Sequence, residues 1–174
     1  MNKFQNKYRI PSARLQTWDY GAAAYYFVTI CTANREHFFG QIVNGEMQLS
    51  PIGEIVASEW EKSIEIRPDM NLQLDAYVVM PDHFHAIIGI GENEYNSQSV
   101  PSPNQFGPQS HNLASIIRGF KSAVTINARK IHADFGWQSR FHDRIIRDDA
   151  AHENIRNYII NNPKKWDDDT FRGK

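Results

Sequence analysis

At 174 residues, with 41% hydrophobic and 12% aromatic content, the chain is long enough for one domain burying about 70% of its unfolded surface. It contains no run long and apolar enough to cross a bilayer, so a soluble globular protein is expected. A formal net charge of −1 argues against a generally basic polyanion binder. The single cysteine, Cys31, excludes an intrachain disulfide framework and fits the reducing cytoplasm.

Residues 1–24 are polar with scattered aromatics and read as an arm that packs through Leu15, Trp18 and Tyr20. The opening stretch, Met1 to Arg9, carries charge without an apolar core behind it, so no secretory signal is expected. Tyr25 to Thr32 is β-branched and aromatic throughout, the pattern of a central strand buried on both sides. His37–Val43 and Glu46–Leu49 flank Asn44-Gly45, which predicts a two-residue hairpin. Ser50 as N-cap and Pro51 at the first helical position open a helix of about four turns, with Ile52, Ile55, Val56, Trp60 and Ile64 at helical spacing and a stop before Pro68.

Leu72 to Met80 reads as a strand, Pro81-Asp82 as a turn and His83 to Ile90 as the returning strand of a hairpin. Residues 92–110 are rich in Asn, Ser, Gln, Pro and Gly and read as a flexible surface loop. Leu113 to Ile131 predicts an amphipathic helix with a basic flank, weakened at Gly119. Arg140 to Arg147 alternates as a last strand, and Asp148 or Asp149 caps a final helix that carries Ile155, Tyr158 and Ile159 and stops at Asn161-Asn162-Pro163. Proline is expected to force Asn162 away from helical angles. The order predicts one α+β domain over residues 1–174, a ferredoxin-like or RRM-like sandwich of helices on a mainly antiparallel sheet.

Alternation along a strand puts His83 and His85 on one face and Phe84 on the other. Two neighbouring imidazoles on a rigid strand suit one divalent metal, with positions left open for a substrate. The plainer reading is a polar strand face. On the last helix Tyr158 and Asn162 lie one turn apart along one face. A phenol needs a nearby cation or base to act as a nucleophile, and a cation held by the histidines would serve. The plainer reading of Tyr158 is a half-buried helix residue, and that of Asn161-Asn162-Pro163 a helix stop.

Five stretches together resemble a known family: Tyr26 to Thr32, Val79 to Ile88 around His83-Phe84-His85, Ile117 to Ser122, Trp137-Gln138, and Tyr158 to Pro163. They resemble the single-tyrosine transposases of the IS200/IS605 type, His-hydrophobic-His nucleases, and especially the REP-associated tyrosine transposases. The resemblance runs from about Arg9 to Trp166. It implies His83 and His85 as metal ligands, Asn162 as a third ligand, Tyr158 as the nucleophile, and Mg²⁺ or Mn²⁺ as the metal. It further implies cleavage of hairpin-bearing single-stranded DNA through a 5′-phosphotyrosine, leaving a free 3′-hydroxyl, by a monomer or a homodimer. One position departs from the family pattern: Asp82 stands where Asn is usual. A carboxylate there would either tighten metal binding or repel the phosphate.

The even charge balance conceals a basic stretch: Arg118 to Arg147 holds seven Arg and Lys against two acids. Arg118, Lys121, Arg140, Arg144 and Arg147 are the expected DNA-backbone contacts, with Trp137 as a stacking platform. Solvated charge, and for Trp137 a place in the core, explain the same residues. A hairpin-binding relative that does not cut, and a phosphoesterase that uses water, remain as alternatives.

Overall fold

The computed structural model describes residue 15, residues 17–97 and residues 110–168, together with a short strand pair, β1 (Lys3–Phe4) and β2 (Lys7–Tyr8). Much of the expected N-terminal arm and residues 98–109 of the expected loop lie outside the described residues. The aromatic and β-branched run forms β3 (Ala24–Cys31). The Asn44-Gly45 hairpin joins β4 (Gly40–Val43) to β5 (Glu46–Leu49), with positive φ at both turn residues. Gly40 has no substitute: its φ is +135° and a Cβ there would lie 2.0 Å from the Gln48 carbonyl oxygen.

Ser50 caps α1 (Pro51–Glu61) by accepting from the Gly53 N–H at 3.1 Å. The expected four-turn helix breaks at Lys62, and the rest is the short α2 (Ser63–Ile66). β6 (Leu72–Val79), β7 (His83–Ile90), α3 (Leu113–Ala128), β8 (His142–Ile146) and α4 (Asp149–Asn161) follow. Asn112 and Ser115 close a reciprocal capping box at the start of α3. Gly119 in α3 has a use: a Cβ there would meet the Arg67 guanidinium at 2.7 Å, and that guanidinium donates to the Ser115 carbonyl at 2.9 Å.

The sheet order is β6-β7-β3-β8, antiparallel throughout, so the expected α+β sandwich is the observed fold. On one face Tyr26, Val28, Ile30, Phe84, Ala86 and Ile88 meet Val56 and Trp60 of α1 and Ile116, Phe120 and Val124 of α3. Trp60 is fully buried, 5.1 Å from both Phe84 and Phe120, and burial of a ring this size contributes about 3–5 kcal/mol. On the other face Ile155 and Ile159 of α4 pack on Ile87 and Ile146, with Phe27, Ala76 and Val78 beside them. β7 is buried at every residue, whereas Tyr25 and Phe27 of β3 are half-exposed. β3 is therefore not buried on both sides along its whole length, because α4 sits mainly over β6 and β7 and reaches β8 at Ile146, near the end of that strand.

Asp75 ties α4 to this position. The ladder between β6 and β7 slips register between Leu74 and Tyr77, and such a bulge re-aims a side chain. The Asp75 carboxylate accepts from the Ala76 N–H at 2.8 Å, contacts His152 Nε2 at 2.6 Å and pairs with Arg156. Burial alone would raise its pKa, but the His152 and Ala76 hydrogen bonds and the Arg156 charge outweigh it and lower the value. A folded value below the unfolded one stabilises fully above the ordinary carboxylate range and fades as pH falls through the folded value. Asp75→Asn should therefore cost about 1–2 kcal/mol at neutral pH, discounted because Arg156 is half-exposed. Urea unfolding should find that difference shrinking in acid.

Candidate active site

The register of the sheet brings the site together. Cys31 pairs with His83 and Thr29 with His85 across β3 and β7, and Thr29 pairs with His142 across β3 and β8. The two imidazoles are 4.5 Å apart between ring centroids, at 72°. They are not splayed. α4 then sets the Tyr158 hydroxyl 3.5 Å from His85 Nε2, close but too long for a strong hydrogen bond.

Each imidazole is held through its other nitrogen. His83 Nδ1 lies 2.7 Å from Asp82 Oδ1, and Asp82 Oδ2 accepts from Arg35 Nε at 3.0 Å. An ionised carboxylate only accepts, so the His83 proton sits on Nδ1 and Nε2 carries the lone pair that a metal needs. Burial would raise the Asp82 carboxyl, but the hydrogen bonds and charges of His83 and Arg35 hold it below the usual carboxylate range. His85 Nδ1 lies 2.7 Å from Thr29 Oγ1, and donation from that nitrogen would leave Nε2 on the Tyr158 side as its acceptor. Asp82 thus orients a ring from a fully buried position.

Asn162 is almost fully buried, and its Oδ1 has no hydrogen-bond partner among the described residues. Contrary to expectation it stays helical, at φ −57° and ψ −43°. The chain does not leave the helix at Pro163 but tightens into a 3₁₀ turn over Pro163–Asp168, where the Lys165 N–H donates to the Asn162 carbonyl at 3.1 Å. That keeps the amide one turn from Tyr158 along α4. Among the described residues no group of three or more His, Cys, Asp or Glu is placed to hold a metal. Two imidazoles and an orphaned amide oxygen still fit a divalent cation, because a buried acceptor without a donor is costly unless something fills it.

Access is narrower than the strand pattern implies. His83 and His85 are both 0% exposed. Trp166, on the C-terminal turn, stacks on His83 at 6.2 Å and 20°, and Tyr158 covers His85 at 5.4 Å. Nothing in the period-two pattern of β7 announces such a cover.

The expected DNA contacts are not gathered in one place. Arg144 projects from β8 on the Tyr158 side of the sheet, and Arg140, just before β8, is exposed. Arg147 lies over the Trp18 ring at 5.5 Å. Arg118 is exposed on α3, in the opposite layer. Lys121 donates to the Gln138 carbonyl at 2.7 Å, and burial lowers its pKa. Trp137 packs against Phe39, Phe120 and Phe135 and donates to the Lys121 carbonyl at 3.2 Å, the core placement rather than an open platform.

No family model matches the chain. An uncharacterised protein of Haemophilus influenzae is 38% identical over 164 residues, covering 91% of this chain and 90% of that protein. The chain belongs to one family with it. Its fold is that of a REP-associated tyrosine transposase solved in complex with a REP hairpin: TM-score 0.59 at 18% identity, covering 90% of this chain and 74% of the other. In this tyrosine-transposase fold the buried histidine pair stands on a central strand and Tyr158 on the helix beside it. No described helix is long and apolar enough to cross a membrane.

Proposed function

We propose that this chain is a metal-dependent single-strand DNA endonuclease and strand transferase that uses Tyr158 as its nucleophile and acts on hairpin-bearing DNA. The observation that carries the reading is the 3.5 Å approach of the Tyr158 hydroxyl to His85 within one chain, which supports action in cis. The hairpin in the complex of the structurally similar transposase supports the substrate class. Residues 1–174 are taken as one domain, since both helical layers pack on the same four strands.

His83, His85 and Asn162 would hold the cation, Mg²⁺ or Mn²⁺. When bound it supplies Lewis-acid polarisation of the phosphate oxygens. Tyr158 oxygen forms a bond to phosphorus as the bond to the 3′-oxygen breaks; the phenol gives up its proton and the departing 3′-oxygen gains one. The products are a 5′-phosphotyrosine and a free 3′-hydroxyl. One phosphate ester replaces another, so the strand can be rejoined without ATP. Asp82 and Thr29 keep the two rings turned toward the phosphate, and Arg35 holds Asp82.

Incubating the protein with hairpin-bearing single-stranded DNA and Mn²⁺ or Mg²⁺ tests the reading. The expected result is a covalent protein–DNA adduct that EDTA prevents. Free 5′-phosphate ends without an adduct would assign attack to water instead.

A second reading, a hairpin-binding protein that does not cut, is favoured by the complete burial of both imidazoles beneath Trp166 and Tyr158. Trp166→Ala separates the two. As a movable cover, Trp166 should yield a variant that binds Mn²⁺ several-fold faster and still forms the adduct, at a stability cost of about 1–2 kcal/mol for a half-buried ring. Tight hairpin binding with no adduct in either protein would favour the second reading.

A further inference from the structure

The strip of sheet that α4 leaves open adjoins the nucleophile. Phe27 and Thr29 of β3 and His142 and Arg144 of β8 form its floor, and Asn154 and Tyr158 stand along its wall on α4. The cleft they enclose holds about 380 Å³, the size of a small-molecule site: enough for one nucleotide and not for a helix. We propose that this cleft seats the base of the nucleotide next to the scissile phosphate, pulled out of any stack or pair. The proposal rests on the reading of Tyr158 given above and names the part of the substrate that lies beside it.

Phe27 is the reason. It is partly exposed and lines the cleft; one face of its ring stacks on His85 at 5.4 Å and 29°, and Tyr158 meets it edge-on at 6.2 Å and 90°. An aromatic ring that cannot turn away is a stacking platform for a base of any identity. The edges of a base need donors and acceptors in its plane, and Asn154, His142 and Arg144 offer an amide, an imidazole and a guanidinium, all exposed. Asp143, between the two β8 side chains, also borders the cleft, although alternation along the strand turns its side chain toward the opposite face, and Arg144 projects an exposed guanidinium on this side. Arg144 is thereby complementary to a phosphodiester joined to the seated base.

Connectivity makes the seat specific to one position. Tyr158 belongs to both places: its ring lines the cleft and its hydroxyl faces His85. A phosphate at that hydroxyl is covalently joined to a nucleotide on either side, and one of the two bases has this cleft next to it. A paired base cannot enter without leaving its partner, so the cleft selects for single strands independently of sequence.

NMR titration of the EDTA-treated protein tests this without metal or cleavage. The probes are dAMP, dCMP, dGMP and dTMP, with 2-deoxyribose 5-phosphate and inorganic phosphate as controls. At least one nucleotide should shift the Phe27, Thr29, His142 and Asn154 signals, and the sugar phosphate should not. Phe27→Leu, which keeps an apolar side chain but removes the π-face, should weaken that nucleotide by about five-fold or more. Arg144→Ala, at an exposed position, should weaken all four nucleotides by similar factors. Equal shifts from sugar phosphate and nucleotides, shifts confined to other surfaces, or unchanged binding by Phe27→Leu with an unchanged melting temperature would overturn the proposal. Because no strand is cut, absence of an adduct at Tyr158 with base-dependent shifts retains the seat, whereas an adduct without them removes the seat alone.

Discussion

Tyr158→Phe should abolish the covalent adduct while leaving the fold and the metal affinity in place. The side chain is 38% exposed on α4, so loss of its hydroxyl should change stability by less than about 1 kcal/mol. The ring contacts to Phe27 and His85 survive, because phenylalanine keeps the same ring. Adduct formation, in contrast, has no second phenol to fall back on among the described residues that line this cleft. Tyr25 is on the same sheet face, but it engages Gln73 and packs its ring 4.8 Å from His152 near the start of α4. Denaturing gels of the variant with labelled hairpin DNA and Mn²⁺ check the chemistry, and calorimetric Mn²⁺ titration checks the metal. An adduct that persists at the wild-type rate would remove Tyr158 from the reaction.

Asp82→Ala should be the most damaging single change away from the nucleophile. Asp82 is fully buried between His83 and Arg35, and its backbone carbonyl accepts from the Thr32 N–H and hydroxyl at 3.0 Å each. Removing the carboxylate strands a buried imidazole N–H and the guanidinium of an Arg35 side chain that is only 22% exposed. Breaking a buried pair in this way costs about 3–5 kcal/mol, with the lower end expected because Arg35 reaches some solvent. The loosened His83 ring should also weaken the metal by about 10–100-fold, the usual effect of losing a carboxylate behind a ligating histidine. Asp82→Asn is the informative companion. An amide oxygen still accepts from His83 Nδ1, so metal affinity should largely recover, while the lost charge opposite Arg35 keeps part of the stability loss. Urea unfolding and Mn²⁺ titration measure the two effects separately. Equal metal affinity in Asp82→Ala and the parent would mean that the carboxylate serves only the fold.

Asp82 is also the one departure from the family pattern noted in the sequence. The alternatives were a carboxylate that tightens the metal site and one that repels the phosphate. Asp82 turns its two oxygens to Nδ1 of His83 and to Arg35. Its charge is therefore largely offset where it stands, and it acts on the Nδ1 side of the His83 ring, away from Nε2.

Much of the site was legible because strands and helices repeat. The period of two placed His83 beside His85, and the helical period placed Asn162 one turn from Tyr158. What could not be read depends on register between distant segments. Thr29 meets His85 across 56 residues, and Asp75 grips His152 across 77. The second contact needs a bulge that no composition marks. Trp166 over His83 was invisible for the same reason. At Asn162 a local rule lost to a continuing 3₁₀ turn, and at Lys62 an apolar pattern carried on through a break in the helix. Trp137 was ambiguous in sequence because a tryptophan beside basic residues looks the same whether its ring faces solvent or, as here, an aromatic cluster.

The residue to which a nucleotide becomes attached identifies the nucleophile. Wild-type protein incubated with Mn²⁺ and a hairpin-bearing single strand should, after nuclease and protease digestion, yield a Tyr158 peptide heavier by a 5′-linked nucleotide, as read by tandem mass spectrometry. The same mass on any other tyrosine, or cut strands with free 5′-phosphates and an unmodified Tyr158 peptide, would contradict it.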